Sequence, residues 1–173
     1  MYQAGDQVVY GIHGVCRVSG VERKIVDRKT VSYLVLEPVN QEGARYLVPS
    51  HNEIAMAKIR PMLTPEEMEA LFISDQIRQA QWIRDENLRK QTYRELITSG
   101  DRTGLMAMVC SLYKHKKTQS AQGKKVHLAD ENFLRDAEKL LHSEFSQVLG
   151  IEPGKIGEYI RHVLSDSTNC LRC

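Results

Sequence analysis

The sequence predicts an α+β fold: a small antiparallel β-barrel at the N-terminus, followed by an all-α domain. Three observations predict it. Over residues 1–60, apolar and polar side chains alternate in short runs separated by Gly, Asn and Asp turns, the period of half-buried strands. From residue 64 onward the apolar spacing changes to the three-and-four step of helices. The change falls at Thr64-Pro65-Glu66-Glu67, where Thr64 can cap, Pro65 suits the first helical position and Glu67 closes a capping box. The expected organisation is therefore a barrel over 1–60, a helical domain over 61–165 and a flexible tail over 166–173. Each domain is near the lower size limit for independent stability.

Within the first domain, Gln7-Val8-Val9-Tyr10 is a short apolar run, and Gly11-Ile12-His13-Gly14 a tight turn. Val15 to Val26 alternates as a strand, Asp27-Arg28 is a polar turn, and Lys29 to Pro38 alternates again with both faces apolar near its end. Asn40 to Gly43 turns the chain into Ala44–Val48, stopped by Pro49, and Ile54 to Ile59 is expected as the last strand. In the second domain, Met68, Leu71 and Phe72 give the first buried stripe, and Ser74-Asp75 can cap a short helix around Ile77. A helix after Trp82 should stop at Ser99-Gly100 in a left-handed conformation. Asp101 should cap the next, which carries Leu105, Met108, Val109 and Leu112 and runs into Lys114-His115-Lys116-Lys117 before a polar loop, Thr118 to Lys125. His127 to Gly150 is a long amphipathic helix, and Glu152-Pro153 opens the last one.

Composition bounds the function. The apolar fraction of 42% is enough for packed cores, and no run approaches the ~20 apolar residues of a membrane span. The N-terminus lacks the pattern of a signal peptide, so the expected location is the cytoplasm. Cys16 and Cys110 sit singly in apolar segments, where a buried free thiol is the default. Cys170 and Cys173 form one Cys-x-x-Cys, a weak metal signal without a second pair. No P-loop, His-Glu-x-x-His, nucleophile elbow or dinucleotide fingerprint is present. His13 has no acid or nucleophile at a diagnostic spacing and reads as a turn histidine. Glu66, Glu67 and Glu69 sit where acids complement a helix dipole. Nothing here argues for an enzyme, a small-molecule substrate, a cofactor or a metal.

Charge is segregated. From Trp82 to Lys125 there are ten cations against four acids, while the whole chain carries a net charge of only +2. After residue 126 the balance reverses to eight acids against five cations. A basic stretch opened by the chain's only tryptophan is what a nucleic-acid surface needs: cations for phosphates and an apolar wedge for a groove. The competing reading is structural. In one helix over residues 82–97, Trp82, Arg89, Tyr93 and Leu96 would share a face, and a lone Trp there is more often core. Likewise the Lys114–Lys117 run is either a solvated helix end or a phosphate contact.

The order of short motifs narrows this. Ala4-Gly5-Asp6-Gln7-Val8-Val9-Tyr10, His13-Gly14-Val15, Val18, Tyr33-Leu34-Val35-Leu36 and Val48-Pro49 resemble the CarD/CdnL family of bacterial transcription regulators. Trp82, Ser99-Gly100-Asp101, Leu112-Tyr113, Lys124-Lys125, Asp130-Glu131 and Ala137 to Leu141 look like the helical domain of the same family. The resemblance covers nearly all of residues 1–165. It implies a Tudor- or SH3-like barrel, shared with transcription-repair coupling factor, that binds the lobe of the RNA polymerase β subunit. It implies a helical domain that contacts promoter DNA at the upstream edge of the bubble and wedges a tryptophan into the minor groove, stabilising the open complex. Carried over, the wedge is Trp82 and the phosphate contacts are Arg84, Arg89, Lys90 and Arg94. The polymerase-binding residues are Lys24, Val26, Arg45 and Leu47. Where the family often has an Arg two residues before the proline, this chain has Leu47, with Arg45 two positions earlier. Asp85-Glu86 also interrupts the basic run. Two other readings compete: an adaptor of polymerase that binds no DNA, and a thiol or metal protein built on Cys170 and Cys173.

Overall fold

The computed structural model describes residues 2–168, with side chains to Val163. The chain forms two compact units, residues 1–62 and residues 63–173.

The first unit is a five-stranded antiparallel sheet with a barrel-like curl. Its strands are β1 (Gln7–Tyr10), β2 (Val15–Val26), β3 (Lys29–Pro38), β4 (Tyr46–Pro49) and β5 (Ile59–Pro61). Their order is β4-β3-β2-β1-β5. A 3-10 turn, Gly11–His13, joins β1 to β2. The β2–β3 turn has φ of 50° at Asp27 and 62° at Arg28. Positive φ at both central residues is the turn whose twist matches a two-residue hairpin, so register is set there without glycine. Ser19 is an extra residue in β2, since Val18 faces Leu36 while Gly20 faces Val35. Gly20 takes φ 141°, which a side chain would resist, and the bulge moves β2 across the sheet by one residue. Val8, Cys16, Val18, Leu34, Leu36, Val48 and Ile59 fill the core.

One expected strand is a helix instead. Residues 53–56 form the helical turn α1 (Glu53–Met56), and β5 begins only at Ile59. Asn52 is the reason: its side chain accepts from the Ala55 amide at 3.0 Å and caps the turn. Ile54 is left 77% exposed, so its apolar character never reported a buried face.

The second unit is helical: α2 (Pro65–Phe72), α3 (Asp75–Arg78), α4 (Glu86–Ser99), α5 (Arg102–Ala121), α6 (Leu128–Leu149) and α7 (Pro153–Thr168). The capping box at Thr64 and Glu67 is formed on both sides. α4 stops at Gly100 with φ 65°, and Asp101 accepts from the Gly104 amide at 2.8 Å to start α5. α5, 20 residues long, passes through Lys114–Lys117 to Ala121, where a loop from Thr118 was expected. Nothing in Thr118-Gln119-Ser120-Ala121 breaks a helix; the first positive-φ glycine is Gly123. α7 likewise continues to Thr168, three residues into the expected tail. Cys170 and Cys173 lie outside the described residues. Cys16 is a buried free thiol, as expected, whereas Cys110 is buried but disulfide-bonded rather than free.

The core of this unit gathers Phe72, Ile77, Tyr93, Met106, Leu112, Leu141, Phe145, Ile156 and Ile160. Gly104 marks the closest approach of α4 and α5: a Cβ there would overlap Leu96 and the Asp101 carboxylate. Buried Glu144 receives Arg102 at 2.5 and 2.8 Å and the Leu63 amide at 3.0 Å, which ties the start of the unit to α6.

Candidate functional site

Trp82 lies in an irregular segment between α3 and α4, not in a helix. Asp85 decides this. Its side chain accepts from the Leu88 amide at 2.7 Å, so α4 starts at Glu86 and the single helix over 82–97 does not form. The segment is nevertheless fixed. Lys114 donates to the carbonyls of Ala80 at 3.2 Å and Arg78 at 3.4 Å. Arg89 donates from Nη1 to the carbonyls of Ile83 at 2.9 Å and Arg84 at 3.4 Å, and from Nε to Asp130 Oδ1 at 2.9 Å.

The indole itself is half-buried and packs against the helical core. His115 stacks on it with centroids 3.8 Å apart and planes within 4°. The Arg89 guanidinium lies over the same ring, 4.4 Å from its centroid. Two groups at these distances do not fit on one side of a ring, so both faces are covered. A cation over indole contributes about 0.5–2 kcal/mol. Against that, the indole Nε1–H is buried and meets no acceptor among the described residues, a loss of about 1–3 kcal/mol. Burial draws the His115 pKa below its ordinary value, Asp130 opposes this, and Arg89 and His127 add to it. At neutral pH the ring stacked on Trp82 is therefore uncharged.

The expected phosphate contacts separate into two kinds. Arg84 and Arg94 are exposed, and Lys90 is half-exposed, pairing with Glu86 at 2.5 Å one turn before it. Lys90 and Arg94 share a face of α4. Arg89, also expected on a phosphate, is placed differently. It is 2% exposed, and its charge is taken by Asp130, which is 1% exposed. A buried guanidinium in an ion pair under the Trp segment shapes that segment and has no surface to offer a phosphate. The stack of His115 on Trp82, and the bonds by which Lys114 and Asp130 fix the surrounding segment, were not legible. These residues are distant in sequence, and only the packing of α5 and α6 against the segment brings them together.

On the first unit, Lys24, Val26, Arg45 and Leu47 come to one face of the sheet. Lys24 pairs across with Val31, Val26 with Lys29 and Leu47 with Val35, all on one side of β3. The core residues Leu34 and Leu36 take the other side. Arg45, just before β4, bonds Glu22 and lies 3.7 Å from Glu37, both on that outer face. Lys24, Val26 and Arg45 are exposed and Leu47 is half-buried. Tyr10, His13 and Tyr46 form a separate ring cluster, with centroids 4.3–5.8 Å apart, so His13 is held by its own turn and by Tyr46.

Among the described residues, no three His, Cys, Asp or Glu side chains are grouped to hold a metal, and no helix is long and apolar enough to cross a membrane. Residues 2–61 match the family model of the CarD-like/TRCF RID domain. The N-terminal unit thus belongs to that family of RNA-polymerase-interacting domains. The match ends at residue 61 and leaves the helical unit outside it. No curated protein matches the chain.

Proposed function

We propose that this protein regulates transcription initiation by holding RNA polymerase with its first unit and promoter DNA with its second. The observation that carries the reading is the polymerase-interacting domain at residues 2–61, followed by a separate unit whose only tryptophan stands beside exposed cations. In this reading the outer sheet face with Lys24, Val26, Arg45 and Leu47 meets the polymerase β lobe. Trp82 enters the minor groove at the upstream edge of the bubble, and Arg84, Lys90 and Arg94 lie along the phosphates. Inserting a wedge into intact duplex costs a few kcal/mol in unstacking, and an edge already melted avoids much of this. Few phosphate contacts give weak DNA affinity, which a polymerase tether makes sufficient by raising the local concentration.

The covered faces of Trp82 favour a second reading, an adaptor that binds polymerase and a further protein but no DNA. Open-complex lifetime separates the two. With the wild-type protein the lifetime is expected to lengthen several-fold, and with Trp82→Ala the gain should largely vanish. Equal lifetimes with both proteins would leave only the adaptor.

A further inference from the structure

The Trp82 ring is held in a way that a wedge does not need. Its two faces are the surfaces that would lie against a base pair or sugar edge, and both are occupied, by His115 at 3.8 Å and by the Arg89 guanidinium at 4.4 Å. Its one polar atom, Nε1, is buried without an acceptor. A residue built permanently into a core would have that N–H paired, and a residue already deployed would have its faces free. The observed ring has neither. The two groups that cover it are also unequal. Arg89 is fixed from behind by Asp130 and by two loop carbonyls, so it forms the rigid wall. His115 is half-exposed on α5, so it forms the wall that can give way.

We propose that Trp82 is stowed between Arg89 and His115 in the free protein, and that His115 is the latch the ring must leave when it engages DNA. This rests on the DNA-binding reading above and adds to it a gate. Stowage protects a half-exposed indole from unspecific contacts. It also lowers apparent DNA affinity in proportion to the fraction of molecules in which the ring is released. On release the indole N–H reaches groove acceptors, and His115 is left at the surface beside Lys116.

Because the chain has one tryptophan, its fluorescence reports this ring alone. Acrylamide quenching and binding to a short A·T-rich fork duplex would be measured on the full chain. The proteins are wild type, His115→Ala, His115→Phe and Trp82→Ala, each with its thermal melt recorded. His115→Ala should raise the quenching constant about twofold and tighten fork binding about fivefold. His115→Phe, which keeps a stacking ring, should resemble wild type in both. If His115→Ala leaves quenching unchanged, or exposes the ring while weakening fork binding, His115 is not a latch. If Trp82→Ala binds the fork as well as wild type, it is the DNA reading that fails, and the gate on DNA falls with it.

Discussion

At the scale of single residues, the pair that matters most is Arg89 and Asp130. Sequence spacing put Arg89 on the same basic run as Arg84 and Lys90, and nothing in the chain's order distinguishes it from them. What does is the location of Asp130 in the first turn of α6, which becomes visible only when α4 and α6 pack. The pair is buried on both sides, so removing either member strands the other charge. Arg89→Ala or Asp130→Ala should lose about 3–5 kcal/mol of unfolding free energy in urea, whereas Arg94→Ala, on the exposed face of α4, should stay within about 0.5 kcal/mol of wild type. A small loss at Arg89 would mean that its charge is not buried and that it is available to a phosphate after all. Trp82 was singled out by its uniqueness, its charged neighbours and the family resemblance. Its surroundings were not, because a loop residue has no period from which its contacts can be read.

At the scale of elements, the most legible parts were those with local chemical causes. The capping box at Thr64 starts α2, Gly100 ends α4 and Asp101 starts α5, each where the sequence placed it. The misread elements were those where periodicity gave the wrong sign. Ile54 and Met56 suggested a strand, yet the Asn52 cap made a helical turn of them. Polarity from Thr118 suggested a loop, yet a solvated helix is also polar. The α6–α7 packing carries a testable pH response. His142 of α6 is mostly buried, its Nε2 has no partner among the described residues, and its Cε1 would lie 3.4 Å from a Cβ on Gly157 of α7. Burial lowers its pKa, with Glu138 opposing and Arg161 adding. The unfolded chain therefore takes up a proton on this residue before the folded one does. Its stabilising contribution is complete above the ordinary value of about 6.5 and is lost as pH falls through the lower folded value. His115 works in the same direction. The urea midpoint should fall between pH 7 and pH 5, and less steeply in His142→Phe; an equal slope in the two proteins would assign the response elsewhere.

At the scale of the whole molecule, the division into a sheet unit and a helical unit followed from the change of period near residue 64, and the α+β class with it. In the proposed DNA-binding reading, the exposed cations of the helical unit set the salt dependence. With Arg89 withdrawn from the phosphate set, Arg84, Lys90 and Arg94 remain. A plot of log K against log salt should then have a slope of about −3 for duplex DNA. A slope of about −4.5 would bring the α5 cations Lys116 and Lys117 into the contact as well. The sheet unit carries its own consequence in the far half of the β2–β3 hairpin. There each strand has a hydrogen-bonded neighbour on one side only, since β1 reaches β2 at residues 15–17 and β4 reaches β3 at 33–36. Val21, Ile25 and Val26 are exposed on that ribbon, Ile25 by 80%. An open, apolar ribbon invites another copy to add its own strand. Arg23, Lys24, Arg28 and Lys29 crowd the same few residues with like charge. With only Glu22 and Asp27 to offset them, these cations leave the ribbon with a net positive charge that opposes its pairing with a second copy.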